Sequence, residues 1–189
     1  MFIKSNLKPI AGSVFGAVLV LLLPADAYGQ HNEGQEHGGG QESEAHGGDH
    51  GSGEAGIASE VSRTIEISMI DTRFTPERLS VEVGEIIRFV VTNNGALVHE
   101  FNIGTAQMHA MHQREMMTMV QHGVLELDKI NHARMTAEAM QHSDPNSVLL
   151  EPGQSAEIVW KFSEAGELEF ACNVPGHYQS GMVGDISFR

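Results

Sequence analysis

The stretch C-N-V-P-G-H-Y-Q-S-G-M, Cys172–Met182, runs straight into V-G-D-I-S-F-R, Val183–Arg189. It puts a thiol, an imidazole and a thioether on one short loop, just ahead of a strand-like run. Cys172 is the single cysteine of 189 residues, so no intramolecular disulfide can occupy it. A donor set this soft, this closely spaced, suits one soft, redox-active metal ion. Gly176 and Gly181 flank His177 and Met182 and let the backbone bend around an ion, while Pro175 stiffens the approach. The set needs one more imidazole from elsewhere, and His99 in A-L-V-H-E-F is the best candidate.

Working outward from the loop, hydrophobic residues alternate with period two. Ile65, Ile67 and Met69 alternate, as do Leu79, Val81 and Val83 before the turn at Gly84-Glu85. Ile87, Phe89 and Val91 follow and end at Asn93-Asn94-Gly95; Val98 to Ile103 is a further strand candidate. Ile158, Trp160 and Phe162 alternate after Pro152-Gly153, Leu168 and Phe170 lead into Cys172, and Val183 to Phe188 forms the last run. Short strands separated by turn signals predict an all-β domain, an antiparallel sandwich or barrel, for which ~100 residues suffice.

Residues 105–142 break this pattern with helical character and an unusual composition. They hold Met108, His109, Met111, His112, Met116, Met117, Met119, His122, His132, Met135, Met140 and His142. Gly123 is expected to separate two helices, with Asp128 as N-cap of the second. His112, Met116 and Met119 fall on one helical face, which Met108 and Met111 are expected to extend. Two readings stand. The methionines pack on the sandwich, or they form, with His109, His112 and His122, a second surface binding the same soft metal.

At the other end, Lys4 and Lys8 precede an apolar stretch, Ile10 to Leu23, and a small-x-small site at Ala25-Asp26-Ala27. This is expected to be a secretory signal peptide over residues 1–27, cleaved after Ala27 or, as second choice, after Gly29. The alternative is a membrane anchor, for which the run is short against the ~20 residues a spanning helix needs. Export implies an oxidising compartment where a lone thiol is a liability unless ligated, and a bacterial periplasm fits. Residues 28–57, rich in Gly and Glu, hold His31, His37, His46 and His50; disorder is expected there, with loose metal capture by the histidines. The domain proper is expected over 58–189.

The chain carries 25 acidic and 11 basic residues, a net charge of −14, and removing residues 1–27 leaves −15. With no basic patch, nucleic acid and anionic lipid are not expected as partners; cations, or a protein with a positive docking face, fit the charge.

A trigonal His₂Cys site with a weak axial Met is the blue-copper arrangement, built from ligands acceptable to both Cu(II) and Cu(I). Three segments carry a family resemblance: F-T-P-E-R-L-S-V-E-V-G-E from Phe74, V-T-N-N-G-A-L-V-H-E-F-N-I-G from Val91, and F-A-C-N-V-P-G-H-Y-Q-S-G-M-V-G from Phe170. The chain resembles the cupredoxins. Its C-x4-H-x4-M spacing is similar to that of rusticyanin-like members, and the whole is most similar to periplasmic copper-resistance cupredoxins of the CopI type. The resemblance spans residues 62–104 and 148–189. It implies a Greek-key sandwich, a type 1 copper held by His99, Cys172, His177 and Met182, and a role in surviving excess copper. One departure stands out. Where azurin and plastocyanin have Asn after the first histidine ligand, this chain has Glu100. Glu100 is expected to accept hydrogen bonds from the Cys172 loop, from Asn173 in particular, and to lower the site's potential.

Three function classes follow: a copper-tolerance protein, a dedicated electron carrier serving a cytochrome or oxidase, and an enzyme such as a cuprous oxidase. The last has the least support. The chain has no H-x-H pair for a trinuclear cluster, no second cysteine for a binuclear centre, and no visible hydrolytic triad.

Overall fold

The computed structural model describes residues 53–141 and 144–189. The expected signal peptide, the tract bearing His31, His37, His46 and His50, and His142 lie outside the described residues.

The alternating runs become ten strands in two five-stranded sheets. The first sheet is ordered β1 (Glu54–Ala55), β8 (Ser155–Lys161), β5 (Ile86–Asn93), β2 (Arg63–Ile70) and β3 (Arg73–Thr75). The second is ordered β4 (Arg78–Val81), β10 (Val183–Phe188), β9 (Leu168–Ala171), β6 (His99–Gly104) and β7 (Ser147–Leu150). Ile67, Phe89 and Ile158 of the first sheet meet Phe101, Phe170 and Ile186 of the second in one buried cluster. Phe170 packs edge-on to Phe74 and tilted to Phe101, with ring centroids 5.1 and 5.5 Å apart. Each such side chain contributes roughly 1.5–3 kcal/mol by leaving water. The last-strand residue Gly184 admits no Cβ, because the Phe170 ring occupies that space.

Three features differ from the sequence reading. The sheets are mixed, not purely antiparallel: β2 pairs β5, and β4 pairs β10, in parallel. The chain leaves the first sheet after β3, lays β4 in the second, and returns as β5 beside β2 in the same direction. The sheet also begins inside the tract drawn to residue 57, because Glu54–Ala55 pair with Trp160 and Lys161 of β8. Finally, β3 and β7 were not among the expected strands.

The insertion forms α1 (Ala106–Gln121) and α2 (His132–Ala137). Thr105 caps α1. Its hydroxyl accepts from Met108 N at 3.3 Å, while Met108 Sδ accepts from Thr105 N at 3.3 Å, so a thioether takes the place a carboxylate usually fills. Gly123, at φ 64°, ends that helix as expected. The N-cap of α2 is Asn131, whose Oδ1 accepts from Arg134 N at 3.0 Å; Asp128 is not the cap. Asp128 lies in the turn closed by the Leu125–Ile130 bridge and the Glu126 N to Lys129 O hydrogen bond. Met116 and Met119 join Val98, Val124, Leu125 and Ile130 in a second buried cluster.

This insertion explains an oddity of β6. All six residues of H-E-F-N-I-G are buried. Phe101 and Ile103 point into the sandwich, and α1 packs against β6 and β9. Glu100 on the intervening face reaches α1 through His112.

Candidate metal centre

Strand alternation sets the site. On β9, Leu168 and Phe170 face the core, and Cys172 continues that face just past the strand end, while Asn173 turns the other way. On β6, His99 opens the strand on the same side as Phe101. The loop after Cys172 folds back on itself. Cys172 N donates to Met182 O at 3.1 Å and Met182 N donates to His177 O at 3.0 Å. Gly176 and Gly181 sit at φ 89° and 90°, backbone that a side-chain-bearing residue rarely adopts.

The result is a triangle of donor atoms. His99 Nδ1 and His177 Nδ1 are 3.2 Å apart, Cys172 Sγ is 3.4 Å from His177 Nδ1, and it is 3.9 Å from His99 Nδ1. These separations leave a point about 2 Å from all three atoms, which matches ordinary metal–imidazole and metal–thiolate bond lengths of ~2.0–2.3 Å. Among the described residues, this is the one group of three or more His, Cys, Asp or Glu side chains with metal-binding spacing. His99 and Cys172 are fully buried, and His177 is half-buried. Met182 is fully buried in the core cluster beside the loop.

Burial pushes the Cys172 thiol up to about 12, with the Glu100 charge adding to the rise and backbone hydrogen bonds from Glu100 and Val174 opposing it. The Glu100 N–H points at Sγ from 3.3 Å. Without metal the sulfur is therefore a thiol at neutral pH. Burial, and then the nearby His99, hold His177 below the usual imidazole range, so its ring is ready to ligate.

Two partners fix His99. Its Nε2 lies 2.9 Å from Asp71 Oδ1. That oxygen also accepts from the backbone N–H groups of Ala96 and Leu97, and the His99 hydrogen bond above all holds the Asp71 carboxyl below its ordinary range. Gly95 makes room for this pair: a Cβ there would collide with the Asp71 carboxylate and lie 2.8 Å from His99 Nε2. Asn93 pins the same loop. Its buried amide donates to Leu97 O and Leu150 O, both at 2.8 Å, and its Oδ1 accepts from Gly95 N at 2.9 Å. Neither Asp71 nor Asn93 emerged from the sequence; the signal for Asn93 was its place at the end of β5, where it read only as a turn residue.

Glu100 is buried with four donors. Asn173 approaches Oε2 with its backbone N at 3.2 Å and Nδ2 at 2.9 Å. Ser147 Oγ and His112 Nε2 approach Oε1 at 2.7 and 2.8 Å. Burial opposes the charge, yet the His112 hydrogen bond and charge, with Ser147 and Asn173, hold the carboxyl below its ordinary value. On His112 burial likewise works against the charge, but Glu100 and Glu115 win and raise its pKa to about 9. Burial above all holds His109 below the usual imidazole range, and its Nδ1 faces the Asn173 amide at 3.1 Å. Helix α1 is thus tied to the residue next to the thiol.

The helix residues grouped by sequence do not form one surface. His109, Met116 and Met119 are buried, Met108 and His112 are half-buried, and Met111, Met117 and His122 are exposed. Met111 leaves the expected face because it lies one residue, about 100° of helix, from His112. His122 pairs with Glu138 at 3.2 Å. Among the described residues no helix is long and apolar enough to cross a membrane.

A family model for copper binding proteins of the plastocyanin/azurin family matches residues 60–189. The copper-resistant cuproprotein CopI of Pseudomonas aeruginosa is 47% identical over 160 residues, covering 79% of this chain and 87% of its own length. The protein of the same name from Rubrivivax gelatinosus is 39% identical over 166 residues, covering 87% of this chain and 88% of its own. The sandwich is shared with auracyanin B (TM-score 0.54, 17% identity, 73% of this chain and 96% of that one). It is also shared with reduced auracyanin from Roseiflexus castenholzii (TM-score 0.50, 22% identity, 68% of this chain and 98% of that one).

Proposed function

This chain belongs to the plastocyanin/azurin family of copper-binding proteins, and from that premise we propose a periplasmic protein of copper tolerance. His99, Cys172 and His177 would hold one copper ion, and Met182, buried beside the loop, would be the fourth and weakest donor. The observation that carries this reading is the triangle of His99 Nδ1, Cys172 Sγ and His177 Nδ1, sized for a single ion. The names of the CopI relatives support the tolerance role.

Bound copper supplies one-electron chemistry between Cu(II) and Cu(I). The protein's residues do the rest. Cys172 gives up its proton on loading, and the Glu100 N–H then steadies the thiolate. Asp71 holds His99 in one tautomer and one orientation. The sandwich keeps His99, Cys172 and Met182 out of water, which limits rearrangement between the two oxidation states. His177 is the one half-buried member of the set, so its ring is the route for an electron. The His-rich tract, with His31, His37, His46 and His50, collects further ions.

A strain lacking the gene is expected to lose copper tolerance, with the full chain restoring it and Cys172→Ser failing to do so. Unchanged tolerance in the deletion strain would contradict the proposal.

The half-buried His177 also favours a second reading, a dedicated electron carrier for a cytochrome or oxidase with a positive docking face. Fast, salt-sensitive electron exchange with a c-type cytochrome, in a deletion strain of normal copper tolerance, would select it.

A further inference from the structure

Helix α1 turns His109, His112 and Gln113 toward the ligand-bearing segments. They stand at i, i+3 and i+4, on one helical face. Gln113 Oε1 accepts from Gln179 Nε2 at 2.7 Å, and His112 reaches Glu100. His109 is fully buried, with its ring against Tyr178 at a centroid distance of 6.1 Å. Its Nδ1 lies 3.1 Å from Asn173 Nδ2. Its Nε2 makes no hydrogen bond, the Glu169 carbonyl falling outside hydrogen-bond geometry. A buried imidazole with one nitrogen unpartnered is costly, and an apolar side chain would fill the space without that cost. The contact that His109 does make therefore calls for a role.

That contact fixes an amide. Glu100, as a carboxylate, can only accept, so the Asn173 atom 2.9 Å from its Oε2 is the nitrogen. One amide hydrogen goes to Glu100 and the other to His109 Nδ1. Nδ1 is thus an acceptor, and the ring proton sits on Nε2. Asn173 Oδ1 is buried and unpartnered, so the side chain is held through Nδ2 alone. The peptide that follows Asn173 carries the Val174 N–H. This N–H is a backbone donor to Cys172 Sγ, beside that of Glu100 at 3.3 Å.

We infer that His109 is a positioning residue for the copper thiolate: by accepting from Asn173 Nδ2 it holds the Asn173–Val174 peptide with its N–H on Sγ. The inference rests on the copper site proposed at Cys172. Hydrogen bonds to a cysteine sulfur draw electron density from it, which favours Cu(I) over Cu(II).

The test compares His109→Leu with His109→Asn in the full chain. Leucine fills the space and suits a helix better, but accepts nothing. Asparagine suits a helix worse, yet sets an acceptor oxygen near the place of Nδ1. In copper-loaded His109→Leu the thiolate-to-Cu(II) band is expected at longer wavelength. Its Cu(I) state is expected to lose about threefold in relative stability, a fall of ~28 mV at 59 mV per tenfold. His109→Asn is expected to keep the wild-type band and potential. In metal-free protein the Val174 amide is expected to exchange with deuterium faster in His109→Leu, and at the wild-type rate in His109→Asn. Two variants that behave alike, or a His109→Leu protein unchanged in all three readings, would overturn the inference. A fourth reading needs no variant. The ¹⁵N shifts of the His109 ring in metal-free wild type are expected to show Nδ1 bare and Nε2 protonated; the opposite tautomer would overturn the inference. Both metal-free readings are taken without copper, so their failure is distinct from failure of the copper site itself.

Discussion

Asp71 and His99 are 28 residues apart in sequence, and their side chains meet at 2.9 Å, Oδ1 to Nε2. The contact makes a carboxylate–imidazole pair whose other ring nitrogen, Nδ1, faces Cys172 Sγ. Such partners orient a ligating ring and raise its basicity.

A more basic ligand favours Cu(II) over Cu(I). Asp71→Asn is therefore expected to raise the midpoint potential, by on the order of 50 mV, since 59 mV is a tenfold preference for a one-electron couple. Gly95→Ala puts a methyl group between the two side chains and is expected to lower copper affinity by ~10–100-fold. Protein-film voltammetry and a competition titration check the two. An unaltered potential in Asp71→Asn would assign that residue a purely structural role.

Glu100→Gln is expected to raise the potential as well, because a negative charge next to the Cys172 loop is lost. The rise should be smaller than a lone carboxylate would give. His112 neutralises Glu100 in the wild type, and on losing that partner its pKa falls toward the ordinary range. Voltammetry at pH 6 and pH 8 separates the two effects. The rise should be smaller at pH 8, where His112 of the variant has shed its proton.

The His112–Glu100 pair also sets a pH window for stability of the metal-free protein. His112 is raised to about 9, so its contribution is complete below the unfolded value of 6.5 and is lost as pH rises through 9. Glu100 is lowered, so its contribution is present above 4.5 and is lost as pH falls through its depressed folded value. Glu100 and Glu115 hydrogen-bond His112, Asp144 lines one small pocket with it, and His109, held below its ordinary range mainly by burial, lies close by. His112→Gln is expected to destabilise the protein by roughly 2–4 kcal/mol near pH 6, and by much less at pH 10. Urea unfolding at the two pH values measures this.

Because burial keeps Cys172 protonated, copper loading at pH 7 is expected to release one proton per ion from that residue. Loading in weakly buffered dye solution would detect it. Cys172→Ser should release none from this position.

The Cys172 loop was legible in the sequence because three of its donors lie within eleven residues, so their closeness is written into the chain. His99 was legible because it starts a strand with clear alternation. Asp71 was not, because nothing local marks a turn residue that meets a ring 28 positions away. β7 escaped notice because S-V-L-L lacks alternation: Val148 and Leu150 pack into the sandwich core, while Leu149 packs against the insertion's cluster. The expectation that Met111 shares the face of His112 failed on helical geometry, and Asn131 took the cap from Asp128 because a tight turn claimed the latter. Glu100 could be read as a partner of Asn173, but its burial and its bond to His112 depend on where α1 packs, which no pattern in the chain specifies.

The most direct test of the copper site is Cu(II) titration of the protein, followed by visible absorption. With His31, His37, His46 and His50 removed by truncation, one equivalent of Cu(II) should develop an intense thiolate-to-copper band. That band should be absent in Cys172→Ser and displaced or lost in His99→Ala. An intense band that survives Cys172→Ser, or a wild-type protein that takes up copper without one, would contradict the account.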